Sequence, residues 1–275
     1  MDDYGQHYAR FEIGRVLNRT FFVLRSNLVA FALAALLIIG LPQFAYYTWP
    51  LIYAASTNTA SDAVGAAALS LWLPALGTGG FVISGFTQTL LIAALTPLSL
   101  ATLNDDRISL KVSFRAALSC SMPVLGFIIF AGLGLIFGLL LFIVPGIFFV
   151  VIWRVAVPVI IAEDLDMASA FERSASLTSG YRWMTLLFIT MIFLIGMAVS
   201  IIISIFTASL GSGYPDSFIS GEGIDSGFWI SNAFVSTLPQ LFTAPLAAAS
   251  TAALYYELRH IKEGLAPKAI ASVFD

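Results

Sequence analysis

Charged residues are scarce in this chain, since only 11 % of its 275 residues are Asp, Glu, Lys or Arg. An ordinary soluble domain carries about 25 % charge, so this composition excludes a soluble enzyme. It also excludes a disordered chain, which would be rich in charge and poor in apolar residues. Because 59 % of the residues are hydrophobic and the mean hydropathy is +0.92, we predict a polytopic membrane protein.

Chemically reactive side chains are also rare. The single cysteine, Cys120, cannot form an intrachain disulfide, and the two histidines, His7 and His260, lie far apart in the sequence. There is no cluster with metal-ligand spacing, no phosphate-cradling glycine loop and no nucleophile elbow. No basic run indicates nucleic-acid binding. We therefore predict no enzymatic activity, no catalytic residues, no metal or cofactor, and no nucleic-acid partner.

Long apolar stretches are what the sequence has instead. A transmembrane helix needs about 20 mostly apolar residues, and lipid offers no partner to bare backbone groups, so spans must be helical. Six stretches qualify: 28–47, 81–103, 118–144, 147–162, 183–210 and 228–256. The sequence thus predicts an all-α fold, a bundle of six transmembrane helices.

Two local sequences are predicted to interrupt this pattern. The apolar stretch 63–80 contains Pro74 and is glycine-rich at 77–80, so we expect a segment that lies on the membrane surface; the alternative is a seventh span. Val-Pro-Gly at 144–146 predicts a tight turn that would make the third and fourth spans neighbours. Gly134 and Gly138 in the third span permit close helix packing.

The basic residues are distributed unevenly. Of 13 Lys and Arg residues, 12 lie before the first span, after the last span or in alternate loops, and the thirteenth is Arg154 inside the fourth span. Cytoplasmic loops carry the Lys/Arg excess. Both termini are therefore predicted to be cytoplasmic.

Three cytoplasmic segments show amphipathic helical periodicity. Residues 10–25, 107–117 and 166–179 each place apolar side chains on one face and polar side chains on another, as interfacial helices do. Basic residues in or beside them are predicted to attract anionic lipid. They are Arg15, Arg19, Lys111, Arg115, Arg173 and Arg182.

The first and third of these segments are similar to each other. They align without gaps at an offset of 154 residues, which places Arg19 on Arg173 and Thr20 on Ser174. A single membrane domain, 1–275, is thus predicted to contain three helical-hairpin units. Their bounds are 10–103, 107–162 and 166–260.

Arg154 is the charged residue that lies midway along a predicted span. An arginine at that depth costs roughly 3 kcal/mol or more, so it should face the bundle or water. Gln88 and Gln240 lie at similar depth in the second and sixth spans, and we predict that Arg154 hydrogen-bonds to polar groups of other spans, with these two amides as the leading candidates. Two interpretations stay open: a polar cavity for a lipid head group or anionic solute, and a network that only ties helices together.

The acids after the fourth span have a simpler interpretation. Glu163, Asp164 and Asp166 precede a predicted amphipathic helix. We expect them to solvate a loop and to cap that helix rather than to bind a cation.

Three stretches resemble a known family. They are 144–147 with Trp153, Arg154, Pro158 and Glu163; 170–174 with 177–180, Arg182 and Trp183; and 255–259 with 262–264. Together they resemble the membrane domain associated with glycerophosphoryl diester phosphodiesterases and its stand-alone bacterial relatives. The usual acid of the third stretch is Asp, where this chain has Glu257. The resemblance implies a bacterial inner-membrane protein of about six helices and assigns no catalytic residues.

The phosphodiesterase activity of that family is not expected here. The enzyme domain is a TIM barrel of about 200 residues or more, for which this chain has no room. One hypothesis is a non-enzymatic membrane protein that binds or organises lipids or partner membrane proteins. The alternative is a transporter or channel for a lipid-related or small anionic solute, which Arg154 and the polar faces of the second and sixth spans favour.

Overall fold

The structure is a computed structural model that describes residues 11–57, 63–106, 108–141, 143–209 and 226–264. These residues form helices, and the described ranges contain no β-strand, which confirms the all-α prediction. In chain order the α-helices are α1 Ile13–Ser26, α2 Leu28–Ala35, α3 Leu41–Thr57, α4 Ala63–Leu103, α5 Leu110–Ser119, α6 Ser121–Leu141, α7 Ile143–Ile152, α8 Ala156–Glu163, α9 Met167–Thr178, α10 Arg182–Ser209 and α11 Ser226–Glu263.

Four helical stretches are long and apolar enough to cross a membrane. They are Leu28–Trp49, Val82–Leu103, Gly146–Glu163 and Arg182–Thr207. Helix α5 and the part of α6 up to Gly134 qualify together as a fifth, although they are bent by 68° at their junction. The chain is therefore a multi-pass membrane protein. The sixth predicted span, 228–256, lies inside α11, and its crossing of the membrane stays a prediction.

The chain divides into two compact units. The first takes its residues from Met1–Leu28, Ile92–Phe193 and Leu246–Asp275, and the second from Val29–Leu91 and Leu194–Pro245. Apolar side chains from α1, α4, α8, α9 and α11 are buried in the first unit: Val23, Leu95, Ile160, Leu177 and Leu258. In the second unit, the buried apolar side chains include Phe31, Ile39, Leu91 and Ala233.

Two helix irregularities lie within six residues before prolines. Pro42 has no N–H to offer the preceding turn, and residues Leu36–Gly40 form a π-helical segment just before it. Pro158 likewise leaves the carbonyl of Arg154 without its α-helical donor. The chain turns at residues 153–155, between α7 and α8.

Two sequence-based expectations about breaks are wrong. Helix α4 runs from Ala63 to Leu103, so Pro74 and the glycines of 77–80 do not end it. Proline and glycine are tolerated in membrane helices, where the surroundings re-satisfy the freed backbone groups. Residues 144–146 lie in the first turn of α7 rather than in a turn between helices. Proline fits there because the first N–H groups of a helix have no helical partner. The predicted neighbours α6 and α7 do pack against each other.

Candidate functional site

The carboxylate of Glu257, near the end of α11, is completely buried and pairs with two arginines of α1. Arg15 Nη1 lies 3.0 Å from Glu257 Oε1, and Arg19 Nη1 donates to Oε2. The two arginines are four residues apart, so one face of α1 presents both. Arg19 also lies over the ring of Tyr256, 4.8 Å from its centroid. A buried carboxylate is tolerated only with such partners, so these contacts fix α1 onto α11.

Arg15 has a second carboxylate partner on its own helix end. Its Nη2 lies 3.0 Å from Glu12 Oε2, on a side chain that is 62 % exposed. The hydrogen bond with Glu12, followed by the charge of Glu257, raises the pKa of Arg15. Its guanidinium is therefore charged at every physiological pH.

A second ionic cluster joins α8, α9 and α11 in a closed ring of five side chains. Arg173 donates to Glu163 Oε2 at 2.8 Å and to Glu263 Oε1. Arg259 donates to Glu263 Oε2 at 2.8 Å and to the Tyr255 hydroxyl at 3.1 Å. The Tyr255 hydroxyl closes the ring by donating to Glu163 Oε1 at 2.8 Å. We call these five residues the ionic ring.

The acids beside the ionic ring follow the sequence prediction only in part. Asp166 caps α9, as predicted, because its carboxylate accepts from the backbone N–H groups of Ala168 and Ser169. Glu163 does not solvate a loop, because both of its oxygens are held by the ionic ring. The sequence around Glu163, at the end of an apolar stretch, does not indicate its partners, because Arg173 and Tyr255 lie 10 and 92 residues away.

Hydroxyl groups of α5 and α9 complete the backbone bonding of candidate spans. Ser174 Oγ on α9 donates to the carbonyl of Ile152 at 2.5 Å. That carbonyl has no donor from its own helix, because the N–H of Ala156 bonds to the carbonyl of Trp153 instead, where the chain turns between α7 and α8. Ser113 Oγ on α5 donates to the carbonyl of Ala94 at 2.6 Å and accepts from the N–H of Leu98 at 3.1 Å. The hydroxyl therefore stands between two backbone groups that an uninterrupted helix would pair directly.

The six basic residues predicted to meet lipid fall into two groups. Arg15, Arg19 and Arg173 are bound to carboxylates of the same protein, as described above. The side chains of Lys111, Arg115 and Arg182 are exposed. None of these three forms an ion pair with a residue that the structure describes. Arg182 lies over the ring of Phe148, 5.0 Å from its centroid.

Arg154 lies in the break between α7 and α8. Its Nε is buried and has no hydrogen-bond partner within the described ranges. Glu163, the first acid that follows Arg154 in the sequence, is held by the ionic ring. Arg154 belongs to the first unit and Gln88 and Gln240 belong to the second. The predicted contact between Arg154 and the two amides stays a prediction.

The two amides belong to a polar group within the second unit. Gln240 Oε1 accepts from Gln43 Nε2 at 2.5 Å and from Ser84 Oγ at 2.9 Å. Gln88 donates to the carbonyl of Ala244 at 3.3 Å. Gln43 is only 2 % exposed, and its Oε1 has no partner among the described residues. Gln43 is not among the residues predicted from the sequence, although a lone amide inside an apolar run is a signal that identifies such a position.

The described residues offer ion pairing and hydrogen bonding rather than metal binding. Among them, no group of three or more His, Cys, Asp or Glu side chains could hold a metal ion. The partners Tyr255, Arg259 and Glu263 were also missed as site residues, although they lie in stretches that carry the family resemblance. Comparison with known proteins identifies no relative: no protein-family model, no curated protein and no solved structure matches this chain.

Proposed function

We propose that this chain is an integral membrane protein without enzymatic activity that binds anionic lipids. The observation that supports this best is the surface of α5. Lys111 and Arg115 are exposed there, four residues apart, and neither has a carboxylate partner among the described residues. Exposed apolar side chains lie beside them: Val112 is 54 % exposed and Leu118 is 67 % exposed. A membrane surface satisfies both kinds of side chain at once.

The geometry of neighbouring elements supports the same proposal. Helix α5 bends by 68° into α6, as expected where a helix on the membrane surface leads into a span. Helix α10 begins with exposed Arg182 and with Trp183, which is 81 % exposed. Tryptophan favours the membrane–water interface, so a second basic and aromatic surface is expected there.

The sequence supports the rest of the proposal. Six spans with cytoplasmic termini would place both surfaces at the cytoplasmic leaflet, whose potential is negative because of anionic lipids. The resemblance to the membrane domain associated with glycerophosphoryl diester phosphodiesterases favours a bacterial inner membrane. Each of the three stretches that resemble this family contributes to the ionic contacts, through Glu163, Arg173 and Glu257 respectively. Shared helix packing within the family would use the same stretches. Partner membrane proteins are the other class of ligand that such a surface would organise.

Lipid enrichment tests the proposal. The full-length protein would be reconstituted in nanodiscs of phosphatidylglycerol and phosphatidylcholine, and the lipids retained after detergent extraction would be quantified by mass spectrometry. Each base near an anionic surface contributes about 1 kcal/mol. Lys111→Gln with Arg115→Gln should therefore lower phosphatidylglycerol enrichment by up to about 30-fold.

The matched control removes the same charge elsewhere. Arg25→Gln with Lys262→Gln changes two exposed bases outside α5, and it should retain most of the enrichment. An equal loss in both double variants would mean that net charge, rather than α5, attracts the lipid. No enrichment in the unmodified protein would refute the proposal itself.

Transport of an anionic solute is the second candidate function, favoured by the Nε of Arg154, which is buried and has no partner in the part of the chain that the structure describes. Proteoliposomes loaded with glycerophosphate would report flux directly. If Arg154 lines a binding cavity, Arg154→Leu should leave the fold intact and abolish flux. If Arg154 is only structural, the variant should change stability and leave flux unchanged.

A further inference from the structure

We propose that anionic lipid bound to α5 controls the shape of α4, the helix to which α5 is hydrogen-bonded through Ser113. The residues that support this inference all lie within the first unit. The inference deepens the proposed function. It rests on the binding of anionic lipid at Lys111 and Arg115, and it states what that binding does to the fold.

The part of α4 that Ser113 contacts is weakened in three ways. Pro97 has no N–H, so the carbonyl of Ala93 lacks its helical donor. Ser113 Oγ lies within hydrogen-bond distance of the next pair along the helix, the carbonyl of Ala94 and the N–H of Leu98. Hydroxyl groups of α4 also bond to carbonyls four residues earlier, which favours bending. They belong to Thr96, Ser99 and Thr102. Because helices kink at prolines and at inserted side chains, α4 can change shape here.

Two arrangements satisfy the same backbone groups of α4. In the arrangement that the structure shows, Ser113 Oγ donates to the carbonyl of Ala94 at 2.6 Å and accepts from the N–H of Leu98 at 3.1 Å. We call it seated. In the other, which we call released, the N–H of Leu98 would bond directly to the carbonyl of Ala94, and Ser113 would bond to water. Neither arrangement leaves a buried group unsatisfied, so a modest difference in lipid affinity is enough to shift the balance between them.

The geometry of α5 connects this balance to lipid. Residues two positions apart in a helix lie about 200° apart around its axis, so Lys111 and Arg115 both lie opposite Ser113. The side chain of Ser113 is completely buried, whereas both bases are exposed. The seated arrangement therefore turns both bases away from α4, and a rotation of α5 that released Ser113 would also turn the bases away from their present direction.

A second contact holds α5 in the same orientation. Cys120 follows Ser113 by seven residues, about two helical turns, and is also buried. Its Sγ donates to Asp164 Oδ1 at 3.6 Å. Lipid that binds the exposed face of α5 thus binds the seated arrangement better than the released one. By linkage, the same lipid stabilises the Ser113 hydroxyl between the backbone groups of α4.

Thiol labelling measures how often position 113 leaves α4. The full-length protein with Ser113→Cys and Cys120→Ser would be reconstituted in nanodiscs of phosphatidylcholine, with or without an equal amount of phosphatidylglycerol, and labelled with uncharged N-ethylmaleimide. A seated thiol is buried, so the labelling rate follows the released population. Each base near an anionic surface shifts an equilibrium about fivefold. Phosphatidylglycerol should therefore slow labelling about tenfold, below the limit of about 30-fold that two bases set.

Three further variants test the parts of the proposal. Lys111→Gln with Arg115→Gln should abolish the slowing. Ser174→Cys, in the same Cys120→Ser background, is the matched control, because Ser174 is also a buried serine that donates to a backbone carbonyl. The neighbouring Arg173 is bound to carboxylates, so the Ser174→Cys thiol should be labelled at the same rate in both lipids.

Pro97→Ala tests the role of α4 itself. Alanine restores the N–H that α4 lacks at this position, which favours an uninterrupted helix. It should therefore increase the released population and speed labelling of the Ser113→Cys thiol in both lipids. If Ser113→Cys does not fold, hydrogen exchange of the α5 backbone amides in the unmodified protein decides instead. Phosphatidylglycerol should slow that exchange by the same factor, and exchange that is equal in both lipids would overturn the proposal.

Four labelling outcomes would also overturn it. They are phosphatidylglycerol enrichment without slower labelling of Ser113→Cys, slowing that survives Lys111→Gln with Arg115→Gln, equal slowing of Ser174→Cys, and labelling that Pro97→Ala leaves unchanged. Phosphatidylglycerol enrichment is measured separately by mass spectrometry. Its absence would refute the proposed function, whereas enrichment without slower labelling would refute only the control of α4.

Discussion

Arg19 and Arg173 occupy equivalent positions in two helices that align at an offset of 154 residues, and each forms an ion pair with a glutamate near the end of α11. Arg19 pairs with Glu257, and Arg173 pairs with Glu263. Equivalent side chains therefore attach α1 and α9 to one helix. The sequence similarity of the two segments is therefore matched by a similar contact, because the arginine of each segment binds a glutamate in the last turns of α11.

Removal of the buried carboxylate should destabilise the protein. Glu257→Gln removes the carboxylate that Arg19 binds and leaves Arg15 with Glu12 alone, and breaking a buried pair costs roughly 3–5 kcal/mol. We expect about 2–3 kcal/mol, because the two arginines are 32 % and 24 % exposed and can turn toward water. Chemical denaturation in detergent would measure the loss.

Glu12 provides the matched control for Glu257. Its carboxylate pairs with the same Arg15 but is 62 % exposed. Glu12→Gln should therefore cost less than about 0.5 kcal/mol. Equal losses for the two variants would contradict the assignment of Glu257 as the residue that anchors α1.

The hydroxyl of Ser174 should contribute to the free energy of unfolding, because it bonds the last carbonyl of α7. Ser174→Ala leaves the carbonyl of Ile152 without its donor, and a buried unsatisfied group costs about 1–3 kcal/mol. Ser176→Ala, an exposed change on the same helix, should alter the free energy of unfolding by less than about 0.5 kcal/mol. Denaturant titration of both variants checks the difference, and similar values for the two would show that the carbonyl finds another donor.

Two glycines of α6 should respond oppositely to the same substitution. A Cβ at Gly134 would lie 2.8 Å from two ring carbons of Trp153, whereas a Cβ at Gly132 would meet nothing within 4 Å. Gly134→Ala should cost about 1–3 kcal/mol through overpacking. Gly132→Ala should be neutral or stabilising by up to about 1 kcal/mol, because alanine favours a helix.

Thermal unfolding of both glycine variants in detergent is the appropriate measurement. A stabilising Gly134→Ala would mean that Trp153 moves without cost. In that case the close approach of α6 and Trp153 would not depend on glycine.

The predicted topology can be tested with reporter fusions. Reporters placed after Leu210 and after Asp275 should report opposite sides of the membrane, because one predicted span separates them. Reporters on the same side would exclude α11 as the sixth span. Alkaline phosphatase and green fluorescent protein would give complementary signals at each site.

The parts of the fold that depend on local sequence were predicted well. Helix α10, Arg182–Ser209, agrees with the predicted span 183–210 because its apolar run has no proline or charge. Asp166 was expected to cap α9, and it does. In both cases the determining interactions lie within a few residues of one another, so the sequence pattern contains them.

The parts that depend on distant residues were not predictable. The ionic ring takes side chains from positions 163, 173, 255, 259 and 263. The last three share one face of α11 at a spacing of four residues, but no sequence pattern links them to positions 163 and 173. Pro74 was expected to interrupt a helix, but α4 continues through it, because the surroundings of a membrane helix can override local propensity. The ionic ring is thus decided by contacts between helices that are distant in the sequence.

The attachment of α1 has a consequence for biosynthesis. Arg19 and its carboxylate partner are 238 residues apart in the chain, so α1 is synthesised long before Glu257 exists. Until the ribosome has passed that codon, Arg19 lacks the carboxylate of Glu257 and Arg15 has only Glu12 as a carboxylate partner. Docking of α1 onto α11 is therefore a late step, and a nascent chain truncated before Glu257 presents α1 without the carboxylate that holds it in place.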